Sequence, residues 1–208
     1  IMNRNKSTKI INYLCTKDKK FKLLVKEIGY IYIEDRNLDF LSLVKIIISQ
    51  QLSTIIAGVI FDRFTHLFSK KNQITPENLL QIDRRYLKES GISFSKIHYI
   101  RNLALVLTKK PNLIEKWKSL DDENALCEIQ KLVGFGSWSA NIILLFYFGR
   151  LDIFPHTDAT IKKVYVGIYK KEFSEDLREV LWARPYRSVL ARYLWAWKDT
   201  VGSFKGKL

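Results

Sequence analysis

The sequence predicts an all-α protein. Apolar residues recur at three- and four-residue spacing along most of the chain. Residues with helix-cap chemistry precede those stretches, and glycine or proline follows them. Hairpin dipeptides of the Asn-Gly or Asp-Gly kind are absent.

From Lys20 to Ile28, apolar residues at Phe21, Leu24, Val25 and Ile28 mark an amphipathic helix that Gly29 ends. The segment YIYIED alternates, but it is too short and isolated to predict a sheet. From Leu41, a helix carries Val44, Ile47 and Ile48. A second carries Ile56, Ile60, Phe64 and Leu67, and the polar SQQLST separates the two. Thr75 before Pro76 and Glu77 opens a helix that Gly91 closes. Ser95 opens the next, with Ile97, Ile100, Leu103, Ala104 and Leu107 on one side, and Pro111 stops it. Asp121 or Asp122 caps a helix carrying Leu126 and Ile129. Beyond Asp158, Ile161, Val164 and Ile168 predict another. Ser174, with Glu175 and Asp176 in the first turn, predicts one more. Pro185 breaks the chain, and Tyr186 to Trp197 forms a last, densely aromatic helix.

The chain is organised around LVGFGSWSANIILLFYFGRLDIFPHTDATIK, Leu132 to Lys162. Two glycines one residue apart, Gly134 and Gly136, suggest backbone angles closed to other residues or a very close approach to a ligand. Ser137 is placed as an N-cap for the apolar helix that follows. A helix, a tight hairpin and a second helix with outward amide groups make an anion-binding turn, phosphate being the usual anion. The connection RLDIFPHTD then delivers one carboxylate, Asp158, to the start of the next helix.

The totals agree with that reading. The 208 residues include 35 basic and 21 acidic side chains, a formal net charge of +14 distributed from Lys6 to Lys207. Such a spread suggests a basic face on a folded body, with nucleic acid as the leading partner and an anionic membrane surface second. With nearly half of the chain apolar, wholesale disorder is excluded. Cys15 and Cys127 are isolated thiols without metal-like spacing, which implies a reducing compartment and gives no disulfide framework. The start lacks an apolar signal core, and no apolar run approaches membrane-spanning length. The expectation is a cytoplasmic, nucleoid-associated protein, or a nuclear one in a eukaryote.

IIISQQLST, KLVGFGSWSANIILL, FGRLDIFPHTDATIKK and RPYRSVLARYLWAW occur in the order found in the helix–hairpin–helix DNA glycosylases. Over roughly Leu38 to Trp197 the chain resembles their monofunctional 3-methyladenine DNA glycosylase II branch. The hairpin alone occurs in many DNA-binding proteins; with SQQLS and the aspartate of FPHTD it forms a specific combination. The resemblance implies two helical lobes with a substrate cleft between them. The smaller lobe would comprise residues 1–36 with 170–208, and the other residues 37–169, with the helix–hairpin–helix at about 121–149.

Site roles follow from the same resemblance, position by position. Asp158 matches the catalytic aspartate that stabilises a cationic sugar and orients water. An aspartate there also reads as a helix N-cap, and one residue can do both. Leu52 matches the wedge that fills the space left by a flipped base, although it reads equally as helix core. Gln51 and Gln50 would contact the partner base or adjoining backbone. Trp138 and Trp195 match rings that line the base pocket, where a cationic methylated purine gains a cation–π interaction. Gly134, Gly136, Ser137, Lys162 and Arg187 would hold phosphate. The carbonyls of Gln130, Leu132 and Phe135 would supply a structural Na⁺ or K⁺ site.

Trp138 stands where bifunctional relatives carry a lysine nucleophile, so no lyase step is implied. The four-cysteine iron–sulfur loop is missing, and no cofactor is required. Ile142 and Ala159 replace tyrosines of some relatives, which implies a more open or less polar pocket. The implied partner is duplex DNA with damaged bases, bound by a monomer. Two rival readings are a glycosylase for oxidised or deaminated bases, of the 8-oxoguanine type, and a non-catalytic DNA-binding module.

Overall fold

A computed structural model describes residues 4–33, 36–70, 73–174 and 176–201. Among them there is no β-strand, and the fold class is all-α as the periodicity predicts. Among the described residues twelve helices follow in order: α1 (Arg4–Lys17), α2 (Lys19–Ile28), α3 (Phe40–Ser49), α4 (Thr54–Thr65), α5 (Pro76–Gln81), α6 (Arg84–Glu89), α7 (Phe94–Lys109), α8 (Leu113–Ser119), α9 (Asp122–Gln130), α10 (Ser137–Ile142), α11 (Ala159–Tyr169) and α12 (Arg187–Val201). A π-helical turn, Ile143–Tyr147, continues α10, and a 3₁₀ segment, Arg178–Ala183, precedes α12.

Most starts are set by side-chain caps. Asp18, Asp39, Ser53, Thr75, Asp83, Ser93, Asp121 and Asp158 each accept an N–H from the first turn of the helix they precede. Three expectations change at this level. The helix expected from Thr75 to Gly91 is two, because Ile82 turns extended and Asp83 caps a new start at Arg84. The next helix is opened by Ser93 rather than Ser95. The segment after Ser174 forms a 3₁₀ run from Arg178 instead of an α-helix, following Leu177 in the left-handed region. The Ser174 hydroxyl accepts the Arg178 N–H there and itself donates to Glu179. Helices α1 and α8 were not expected.

The chain divides into two compact units, residues 1–36 with 144–208, and residues 37–143. One boundary falls at the expected place. The other comes at 143/144 instead of 169/170, so the loop carrying Asp158 and helix α11 belong with the two chain ends. In that terminal unit α12 packs on α11 and α2, and α1 on α2. Phe21 meets Tyr193 edge-on with ring centroids 4.9 Å apart, among the buried Ile11, Leu14, Leu24 and Leu190. In the 37–143 unit the long α7 packs on α5, α3 and α6, while α10 packs on α9 and α3. Its buried residues include Leu43, Ile47, Leu79, Ile100, Leu103, Trp117 and Ile129. No helix among the described residues is long and apolar enough to cross a membrane.

Candidate active site

Within residues 37–143, the hairpin and the SQQLS junction are joined. Gln50 Nε2 donates to the Gly134 carbonyl at 2.7 Å and to Ser139 Oγ at 2.9 Å. Gln50, expected against the duplex, therefore has its amide nitrogen engaged inside the protein. Lys96, on α7, donates to the carbonyls of Ile48 and Gln50, both at 2.8 Å. Its ammonium sits at the C-terminal end of α3, where a cation is favoured, although partial burial lowers its pKa. Lys96 carried no signal in the sequence, since a lone lysine near a helix start reads as surface. The next residue, Gln51, is exposed and left-handed at φ 56°, a conformation that costs a non-glycine residue energy and concentrates at functional turns. Leu52 follows it, half-exposed in the turn before α4, which removes the alternative that it belongs to a helix core.

The hairpin glycines differ. Gly134 has φ +89°, and a Cβ there would lie 2.4 Å from Tyr99 Cγ. Gly136 is exposed at φ −94°, with nothing within 4 Å of an added Cβ. Gly136, not Ser137, is the N-cap of α10. Ser137 is the first helical residue, and no side chain caps this start. The carbonyl of Leu132 accepts the Phe135 N–H at 3.0 Å. A carbonyl has two lone pairs, so this bond is compatible with the hard-oxygen donor set of Gln130, Leu132 and Phe135 expected for a monovalent cation. Trp138 is half-buried on α10.

In the terminal unit, Asp158 caps α11. Its Oδ1 accepts the Ile161 N–H at 2.8 Å and the indole Nε1–H of Trp195, from α12, at 3.3 Å. The two bonds aim the carboxylate from a helix start and from a second helix. Trp195 is half-buried with its ring centroid 5.5 Å from that of Phe146.

The loop before Asp158 is clamped by the first turn of α12. Ser188 Oγ donates to the Ile153 carbonyl at 3.0 Å and accepts the Ile153 N–H at 2.9 Å, while the Ser188 N–H donates to Leu151. Arg187 forms a bidentate pair with Asp152, Nε to Oδ1 at 2.7 Å and Nη2 to Oδ2 at 3.0 Å. Arg187, expected on phosphate, is only 13% exposed and serves this internal frame instead. Lys162 is exposed on α11, one turn beyond Asp158, and its backbone N–H donates to the Asp158 carbonyl. Ser188 and Phe146 were missed as site residues, because their partners lie 35 and 49 positions away in sequence and no local spacing announces them.

Residues 44–181 match the model of the HhH-GPD superfamily base excision DNA repair proteins. The chain belongs to that superfamily. Two curated relatives from Schizosaccharomyces pombe are similar over nearly their whole length. The alkylbase DNA glycosidase-like protein mag2 is 28% identical over 193 residues, 88% of this chain and 90% of its own. DNA-3-methyladenine glycosylase 1 is 27% identical over 204 residues, 90% of this chain and 86% of its own. A solved structure of the S. pombe 3-methyladenine DNA glycosylase in complex with abasic DNA matches with a TM-score of 0.81 and 26% identity, covering 92% of this chain and 97% of that one. The HhH-GPD match spans the SQQLS junction, the glycine hairpin and Asp158, and ends before RPYRSVLARYLWAW, the fourth stretch on which the resemblance rests.

Proposed function

We propose that the protein is a monofunctional DNA glycosylase of base excision repair that releases alkylated purines, 3-methyladenine and 7-methylguanine, from duplex DNA. The observation that carries this reading is the Asp158 carboxylate, fixed through Oδ1 by a helix cap and by the Trp195 indole, in a chain of the HhH-GPD superfamily. The names of the two curated relatives support the alkylated-base substrate class.

The chemistry is the heterolysis of one C–N bond. Alkylation gives the purine a positive charge, and its departure takes the bonding electron pair from C1′ and leaves a neutral base. The sugar becomes an oxocarbenium-like cation, which the fixed Asp158 carboxylate stabilises without moving. Water adds to C1′, and its proton passes through Asp158 to solvent. The Trp195 ring, bonded to Asp158, stacks on the extruded base, and Leu52, carried on the strained Gln51 turn, enters the vacated stack. The amides around Gly134, Gly136 and Ser137, with Lys162, hold phosphate and set register without reading sequence. The carbonyls of Gln130, Leu132 and Phe135 would hold a Na⁺ or K⁺ ion; when bound, it would add positive charge beside that phosphate.

Asp158→Asn is the test. Asparagine caps a helix about as well as aspartate, so the fold should hold. Release of 7-methylguanine from a lesion-bearing duplex should be abolished while duplex binding is largely kept. Undiminished release would remove Asp158 from the reaction. A panel carrying alkylated, oxidised and deaminated bases, run with the parent protein, fixes the substrate class.

A further inference from the structure

We infer that Arg192 is a positioning residue for the reaction, holding the Trp195–Asp158 pair in place through the π-turn and the Phe146 ring. The inference rests on the reading of Asp158 and Trp195 given above.

Arg192 is 8% exposed, yet among the described residues no carboxylate pairs with it. Its Nε is buried with no hydrogen-bond partner. A buried, unpaired charge is expensive and calls for a local reason. Burial and the neighbouring Arg36 push its pKa down to about 10, so it remains a cation at neutral pH. Nη2 donates to the Leu145 carbonyl at 2.6 Å. Leu145 lies inside the π-helical turn, whose widened ladder is of the kind found at functional sites. The guanidinium carbon also lies 4.4 Å from the Phe146 ring centroid, and Phe146 packs against Trp195.

The geometry of α12 unites these contacts. Ser188, Arg192 and Trp195 are spaced i, i+4 and i+7, so they share one face of the helix. Ser188 holds the loop at Ile153, Arg192 holds the turn at Leu145, and Trp195 holds the carboxylate of Asp158. Without the guanidinium, the Leu145 carbonyl loses its donor, and the Phe146 ring loses the nearer of its two cations and keeps only the Arg36 guanidinium, 5.8 Å from its centroid. Phe146 can then shift, and Trp195 with it, so Asp158 loses its second anchor. Arg192 touches no reacting atom in this scheme.

A double-mutant cycle between Arg192→Met and Trp195→Phe tests the relay, using single-turnover release of 7-methylguanine from a duplex oligonucleotide. Arg192→Met should slow the chemical step by about tenfold to a hundredfold, the scale expected for a misplaced catalytic group. Duplex affinity should be unchanged, and Arg192→Lys should recover part of the rate. In the Trp195→Phe background, Arg192→Met should add no further loss, because the link to Asp158 is already cut. An equal loss in both backgrounds, or no loss in the parent, overturns the inference. If Arg192→Met melts too low to assay, Phe146→Leu takes its place in the cycle and is judged the same way. Asp158→Asn is run alongside. Full release by that variant sinks the assignment of Asp158 itself, whereas a dead variant with an additive cycle sinks only the relay.

Discussion

Gly134 and Gly136 occupy one hairpin for different physical reasons. Gly134 combines a positive φ with a Tyr99 ring standing where its Cβ would be, so the protein's own packing demands glycine. Gly136 has an ordinary φ and open space around it, so nothing inside the chain demands glycine there. Gly134→Ala should therefore destabilise the fold by more than about 1 kcal/mol in urea unfolding. Gly136→Ala should leave stability within about 0.5 kcal/mol of the parent but weaken duplex binding, measured by fluorescence anisotropy, because the methyl group intrudes where a phosphate comes close. Parent-like binding by Gly136→Ala would remove the hairpin from the DNA contact. The spacing of the two glycines was legible in the sequence. Their division of labour was not, because it depends on Tyr99, 35 residues earlier on α7.

Among the elements, α3, the SQQLS junction and the start of α10 act together through Gln50. Gln50→Leu removes the amide donor shared by Gly134 and Ser139 and leaves one half-buried and one buried acceptor unmatched, at a cost of about 1–3 kcal/mol. Thermal melting should show that loss. Base release should fall as well, since the turn bearing Leu52 is no longer tied to the hairpin; parent-like release would make the tie purely structural. Helices α2 and α9 are legible in the sequence because each joins a capping side chain to apolar residues at helical spacing. Helix α1 has little signature in the sequence because its start lies in a polar, lysine-rich stretch, and its buried Ile10, Ile11 and Leu14 belong to a helix that packs on α2 and on the 3₁₀ segment. The α5–α6 break has no clear mark in the sequence because the cap, Asp83, is itself a tolerable helical residue. The π-turn had no signature at all, since it is held by Arg192 from 47 positions away. In the same way the RPYRS and FPHTD motifs were each visible, but not the Ser188 clamp and the Trp195 bond that join them, because such contacts depend on how α12 packs rather than on local spacing.

At the scale of the whole molecule, the +14 net charge and the lack of any readable base-specific motif give the expected binding its physical character. A damaged base can occur in any sequence, so affinity must come chiefly from phosphates, through backbone amides and lysines, and hardly from base edges. Each neutralised phosphate releases condensed counterions, and log K then falls linearly with log salt concentration. If six to ten phosphates are engaged, affinity for undamaged duplex should drop by about 10³- to 10⁵-fold between 50 and 200 mM salt. Release of a lesion base in single-turnover reactions at saturating protein should change far less over the same range, because the Asp158 cap and the Trp195 bond lie within the folded chain and are screened little. Anisotropy titrations and quenched-flow release, both run as a salt series, measure the two quantities separately. A shallow binding slope would mean that the basic surface is not the DNA contact. A release rate falling in step with affinity would mean that the anchoring of Asp158 depends on bound DNA rather than on α11 and α12.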